Sequence, residues 1–164
     1  MATQLKSLSD FSHTEIPSAM PYRFAIITAQ WNAAITHALY QGAYQFLLNR
    51  GANPSNIVSI TVPGSFELSS AADMVLHSKS SVDAVICLGC VIQGETPHFD
   101  YICSAVAQGL THVSLQHHVP VIFGVLTTLN EQQAKERAGG KHGNKGEEAA
   151  ATAILMAHLQ AQLP

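Results

Sequence analysis

A chain of 164 residues that is 47% hydrophobic can bury one good core and is too short for two ordinary domains. Only 12% of it is charged, about half the usual share for a soluble domain, which points to self-association; a formal charge of -3 without a Lys/Arg-rich run excludes nucleic acid and anionic membranes as partners. Three cysteines do not make a disulfide framework, and neither a signal peptide nor a membrane span is legible, so the chain is read as cytosolic.

Residues 1–21 are polar, rich in Ser and Thr, and punctuated by Pro17 and Pro21, which predicts a flexible N-terminal arm ahead of a single domain over 22–164. Tyr22 to Ala29 is an apolar run of strand formers. Asn32 then stands where a cap belongs, before Ile35, Ala38, Leu39, Ala43, Phe46 and Leu47 at helical spacing. Gly51, Asn53, Pro54 and Ser55 break the chain ahead of a β-branched strand over Ile57 to Val62, closed by Pro63 and Gly64. Ser65 is placed to cap a helix that runs toward Ser78.

Ala84 to Ile92 is nearly continuous in apolar residues, as a central parallel strand covered on both faces should be. After Gly94, helical spacing returns from Phe99 to about Gln116. Val119 to Thr127 reads as the fourth strand. A helix from Asn130 to about Ala138 and another from about Gly146 to Gln162 follow, divided by a glycine-rich loop. Strand and helix alternating through short links predict an α/β fold, a three-layer αβα sandwich on a four-stranded parallel sheet with helices on both faces.

Ligands of such sheets collect where strands end and helices begin. Four junctions carry chemistry. Ala29-Gln30-Trp31-Asn32 places the only tryptophan at the exit of the first strand, where an indole either stacks on a flat heterocycle or packs helix against sheet. Val62-Pro63-Gly64-Ser65-Phe66-Glu67 presents a hydroxyl, a ring and a carboxylate; Glu67 either accepts from sugar hydroxyls or a ring N–H, or complements a helix dipole.

Gly94-Glu95-Thr96-Pro97-His98-Phe99 follows the most apolar strand. Thr96 fits an N-cap and Pro97 the first helical position, so His98 falls in the first turn, among free N–H groups that suit a phosphate. An imidazole there can take and return protons near neutrality, although a structural histidine satisfies the same pattern. The fourth junction, Arg137 to Gly146, is the densest cluster of positive charge. The Arg137 fork and the Lys141 ammonium suit a phosphate, or the segment is a solvated connection with incidental basic residues.

Other signals fail. Cys87 and Cys90 match C-x-x-C but lie mid-strand, where residues three apart face opposite sides; His117 and His118 are adjacent on a helix end, so one metal does not take both. No metal is expected. Neither G-x-G-x-x-G nor G-x-x-x-x-G-K-[ST] occurs, which removes dinucleotide and P-loop chemistry.

The four segments, in this order, resemble the lumazine synthase family over about Tyr22 to Leu159. The likeness is carried by Val62 through Glu67, by Gly94 through Tyr101, by Pro120 through Thr127, and by Arg137-Ala138-Gly139 with Asn144-Lys145-Gly146. The resemblance implies a flavodoxin-like fold and a cofactor-free condensation of 5-amino-6-(D-ribitylamino)uracil with 3,4-dihydroxy-2-butanone 4-phosphate, giving 6,7-dimethyl-8-ribityllumazine in riboflavin biosynthesis.

It further implies roles. Trp31, beside Asn32, takes the place of an aromatic that stacks on the pyrimidine. Gly64, Ser65, Phe66 and Glu67 hold the ribityl chain and ring edge, and Val91 and Ile92 line the ring pocket. Gly94, Glu95 and Thr96 receive phosphate beside His98, the proton shuttle. Phe123, Arg137 and Lys141 come from the next subunit, and Glu148 orients the histidine. A homopentamer, or a multiple of it up to a hollow shell, is implied, and riboflavin synthase is a partner the likeness allows. Trp31 is larger than the family's usual Phe, Gln93 replaces a commonly basic residue, and Pro17 and Pro21 would disturb an arm that adds as an edge strand. Two other readings share the sheet. A flavin- or lumazine-binding module without turnover leaves His98 without a duty, and a receiver domain needs an aspartate where this third strand ends in Ile92-Gln93-Gly94.

Overall fold

The computed structural model describes residues 7–78 and 81–164. Four parallel strands are formed by the apolar runs, β1 (Phe24–Ala29), β2 (Ile57–Val62), β3 (Ala84–Ile92) and β4 (Val121–Thr128), in the order β2-β1-β3-β4. Between and after them come α1 (Ala33–Asn49), α2 (Leu68–His77), α3 (His98–His117), α4 (Glu131–Lys135) and α5 (Lys145–Gln162). The sheet separates two cores. On one face α1 and α5 bury Leu39, Ala43, Leu47 and Ile154 against Phe24, Ile26, Ile86 and Leu88. On the other, α2 and α3 bury Leu68, Ala72, Val106 and Leu110 against Ala25, Ile27, Val85 and Cys87. This is the expected three-layer sandwich with a flavodoxin-like parallel sheet.

Burial follows position in the sheet. The first seven residues of central β3 are all buried, whereas edge strand β2 leaves Val58, Ser59 and Thr61 exposed. Alternation sends Cys87 into the α2/α3 core and Cys90 into the α1/α5 core, so the C-x-x-C pair is split by the sheet, and both thiols are free. In α1, buried Ile35, Leu39, Ala43 and Leu47 recur every fourth residue, which is the stripe that holds the helix down.

Several boundaries differ from the sequence expectation, each for a local reason. Asn32 precedes α1 in a left-handed conformation, yet its side chain makes no cap; its Nδ2 instead donates to the Cys90 carbonyl at 3.0 Å. Thr96 does not cap α3. Pro97 occupies the flanking position with φ -63 and ψ -2, and His98 is the first helical residue. The fourth strand starts at Val121 because left-handed His118 (φ 53) and Pro120 make the preceding turn. Asn130 does cap α4, accepting from the Gln133 amide at 2.9 Å, but that helix stops at Lys135.

The glycine-rich stretch is a short antiparallel hairpin, β5 (Ala138–Gly140) with β6 (Gly143–Asn144), rather than a plain loop. Gly139 (φ +106) and Gly143 (φ +83) supply the positive angles that its reversal requires. Of the expected arm, residues 1–6 lie outside the described residues. From Ser7 on it meets this hairpin: the Leu8 amide donates to the His142 carbonyl at 2.7 Å, and Ser9 Oγ accepts from the Asn144 amide at 3.0 Å. Further along, Ile16 and Ala19 are buried beside α1 and β1 residues of the first core. No helix among the described residues is long and apolar enough to cross a membrane.

Candidate active site

In the order β2-β1-β3-β4 the chain leaves β1 toward one edge and β3 toward the other, so a crevice opens between the carboxyl ends of β1 and β3. A cleft of about 980 Å³ lies there. Trp31 and Asn32 after β1, Gly64 through Glu67 after β2, Cys90 through Ile92 at the end of β3, and one side of α3 form its walls.

Local backbone bonds fix the first two walls together. The Gln30 amide donates to the Val62 carbonyl at 2.8 Å and the Trp31 amide to the Pro63 carbonyl at 3.2 Å, tying the exit of β1 to that of β2. The Asn32 bond to Cys90 ties the same exit to β3. At Gly64 a Cβ would stand 3.1 Å from Glu67 Oε2 and 3.4 Å from Trp31 Cδ1, so the carboxylate and the indole converge on one bare stretch of backbone. Ser65 is buried, and its Oγ has no hydrogen-bond partner among the described residues. It sits where a side chain on Gly89 of β3 would be, 2.5 Å from that missing Cβ, so the strand must carry glycine for the turn to close.

The cleft is aromatic and open. Trp31 is 73% exposed, Phe66 55% and Tyr101 74%, three large rings around one cavity in a molecule whose other aromatics are mostly covered. Such a patch asks for an occupant, and flat rings beside a carboxylate suit a planar heterocycle bearing N–H or hydroxyl donors. His98, the first residue of the 20-residue α3, reaches the cleft from the helix end whose free N–H groups attract anions.

Of the sequence-derived residues, Trp31, Asn32, Gly64, Ser65, Phe66, Glu67, Val91, Ile92 and His98 therefore share one cleft. Gly94, Glu95 and Thr96 form the link from β3 to α3 beside it without lining it. The remaining four are elsewhere in the chain. Phe123 lies on β4, 36% exposed. Arg137 donates through Nη1 to the Gln133 carbonyl at 2.9 Å. Lys141 Nζ stands 3.1 Å from Glu136 Oε1, and this ammonium holds the Glu136 carboxyl below its ordinary range. Glu148 pairs with Lys145 Nζ at 2.7 Å.

Sequence reading missed Cys90, Tyr101, Ile102 and Ala105 in the lining. The last three stand three, four and seven residues after His98, which is the spacing of one helix face and would have identified them once His98 was accepted as a cleft residue. Burial pushes the Cys90 thiol up to about 11 and the Cys87 thiol higher still, so neither supplies a thiolate nucleophile at neutral pH.

Comparison with known proteins matches residues 21–161 to the family model described as 6,7-dimethyl-8-ribityllumazine synthase. The chain is similar to the 6,7-dimethyl-8-ribityllumazine synthase of Cytophaga hutchinsonii, 56% identical over 156 residues that cover 95% of this chain and 97% of that protein. It is likewise similar to those of Porphyromonas gingivalis, 51% identical over 160 residues covering 98% and 99% of the two chains, and Parabacteroides distasonis, 48% identical over 161 residues covering 98% and 100%.

Proposed function

Since the chain belongs to the 6,7-dimethyl-8-ribityllumazine synthase family, we propose that its β1/β3 cleft joins 5-amino-6-(D-ribitylamino)uracil to 3,4-dihydroxy-2-butanone 4-phosphate. The product is 6,7-dimethyl-8-ribityllumazine, and one phosphate and two waters leave. The observation that carries the reading is the convergence of an exposed indole, a carboxylate and a helix-start imidazole on one cleft. Without His98 in the lining, the cleft would fit a lumazine-binding module equally well; family membership supports the enzyme.

In this reading Trp31 stacks on the pyrimidinedione, while Ser65, whose buried hydroxyl lacks a partner, and Glu67 take hydroxyls of the ribityl chain or a ring N–H. Val91 and Ile92 line the ring. The phosphate rests on Gly94, Glu95 and Thr96 at the α3 start. The 5-amino group attacks the ketone, water leaves to give an imine, phosphate is eliminated, and the second amine closes the ring with loss of the second water. His98 carries protons through these steps, and holding the reactants together supplies much of the rate.

The cations belong to a neighbouring copy. Arg137 and Lys141 follow α4 and β5, whose Ala134 and Ala138 pack on the α1/α5 face, while α3 with His98 packs on the other. Packing on opposite faces supports their coming from different copies. A pentamer, or an assembly built from pentamers, brings Phe123, Arg137 and Lys141 of one copy to the His98 of the next, with Glu148 orienting that histidine. The low charge content and the exposed rings support such an interface. The enzyme works in the cytoplasm, and riboflavin synthase is the partner that would use its product.

Mixing the protein with both substrates and recording the absorbance and fluorescence of the lumazine tests the reaction. Accumulation of product above the uncatalysed background is expected. Tight binding of the lumazine with no such accumulation would refute it in favour of the binding module.

A further inference from the structure

The helices that flank the cleft run back from it, so the last turns of α2 and α3 meet at the opposite end of the sheet. There Asp73 Oδ1 accepts from His117 Nε2 at 2.8 Å and lies 3.3 Å from His77 Nδ1. The two imidazoles meet edge to face with centroids 4.6 Å apart. One ligand atom from each of the three residues lies within 4.8 Å of the others.

We infer that Asp73, His77 and His117 form a binding site for a divalent transition-metal ion, zinc foremost, which clamps the end of α2 to the end of α3. A hydrogen-bonded ion pair would use one imidazole; here two lie against one carboxylate, His77 through an Nδ1 that also stands 3.0 Å from the Asp73 backbone carbonyl oxygen. Donors around tetrahedral zinc stand roughly 3.3 Å apart, given zinc–nitrogen and zinc–oxygen bonds of about 2.0–2.1 Å. The His77–Asp73 separation of 3.3 Å already matches that value and the His117–Asp73 separation of 2.8 Å must widen slightly. The third closes by a rotation of His77, whose side chain is 61% exposed and which gives up the 3.0 Å contact of its Nδ1 with the Asp73 carbonyl oxygen.

Two nitrogens and one oxygen suit zinc, copper or nickel better than magnesium or calcium, which prefer oxygen alone. Protein covers one side of the site, with the His117 side chain only 14% exposed, and solvent enters from the other, leaving room for a water as the fourth ligand. Both helices also point their negative ends this way. The site shares no residue with the cleft and stands whether or not the proposed reaction is correct.

The test is calorimetric titration of the untagged full-length protein with zinc chloride at pH 7.5, after treatment with a chelator and its removal. Binding of one zinc per chain is expected, with affinity reduced at least about tenfold in Asp73→Asn and His117→Ala. His77→Ala removes an exposed ligand with little risk to folding, and should cost as much. Added zinc should raise the unfolding temperature of the parent, and EDTA should reverse that rise; in His77→Ala neither should act. Zinc bound equally well by His77→Ala and the parent, or no zinc bound by the folded parent, would overturn the inference.

Discussion

Replacing Gly146 with alanine separates local preference from packing. In the first turn of α5, alanine should by propensity favour the helix by about 1 kcal/mol. The structure gives the opposite sign. A Cβ on Gly146 would collide with the Leu39 carbonyl oxygen and stand 2.7 Å from its carbon, both backbone atoms of α1 that no rotamer can move. Relief requires α5 to withdraw from α1 in a densely packed interior.

That withdrawal strains Asn144, which is buried and joins the two helices. Its Nδ2 donates to the Ala38 carbonyl at 3.0 Å, and its Oδ1 accepts from the Gly146 amide at 2.7 Å. Overpacking costs about 1–3 kcal/mol and a buried polar group left unpaired about the same, so the net loss after the propensity gain is about 3 kcal/mol. In a domain of this length the melting temperature should fall by about 6–12 °C, measured by circular dichroism at one fixed protein concentration. Gly94→Ala is the control, since its Cβ meets nothing within 4 Å, and should move the melting point by no more than about 2 °C. A Gly146→Ala protein as stable as the parent would refute the close-approach argument.

Three further outcomes are expected. His98→Ala should lower turnover by about a hundredfold or more while leaving residual activity from positioning, and an unchanged kcat would remove its role as proton carrier. Arg137→Ala should raise KM for the keto-phosphate by about ten- to a hundredfold, since a charge-assisted hydrogen bond is worth about 1.5–3 kcal/mol; an unaltered KM would detach this guanidinium from the phosphate. Because burial raises the Cys87 and Cys90 thiols above their unfolded values, the folded chain holds protons that the unfolded chain releases on the alkaline side. Urea midpoints should therefore be level between about pH 7 and pH 9 and decline from there through about pH 11, and a rising midpoint over that alkaline window would contradict the burial.

Periodicity made the layers legible because each strand and helix carries its own apolar stripe. The first apolar run, rich in strand formers, reads as a strand, Ala84–Ile92 as a strand covered on both faces, and the fourfold spacing from Ile35 to Leu47 as a helix. The β5–β6 hairpin was not legible, since it is specified by backbone angles at Gly139 and Gly143 rather than by side chains that alternate. Asn32 misled in an instructive way. Its type suits a cap, but a tertiary acceptor, the Cys90 carbonyl, outcompeted the local amides. Chain-adjacent His117 and His118 looked unable to share a metal, and the partners of His117 lie on another helix, with Asp73 44 residues away.

The division between the two halves of the proposed site follows from strand order. A right-handed crossover after β3 lays α3 on one face of the sheet, and the segment after β4 turns α4 and its hairpin onto the other. His98 opens the helix after β3 and Arg137 follows the short helix after β4, yet β4 is an edge strand with no neighbour on its outer side. The hairpin is held in place from behind, by the Leu8 and Ser9 bonds and by packing on α1, and cannot swing toward the cleft without breaking both. If the guanidinium is to meet the phosphate, a second copy must bring it, and mixing His98→Ala with Arg137→Ala chains should then restore activity. In randomly mixed rings about a quarter of the interfaces would pair an intact His98 with an intact Arg137. Co-expressed variants that form mixed rings yet stay as inactive as either alone would show that the two side chains do not serve one shared site.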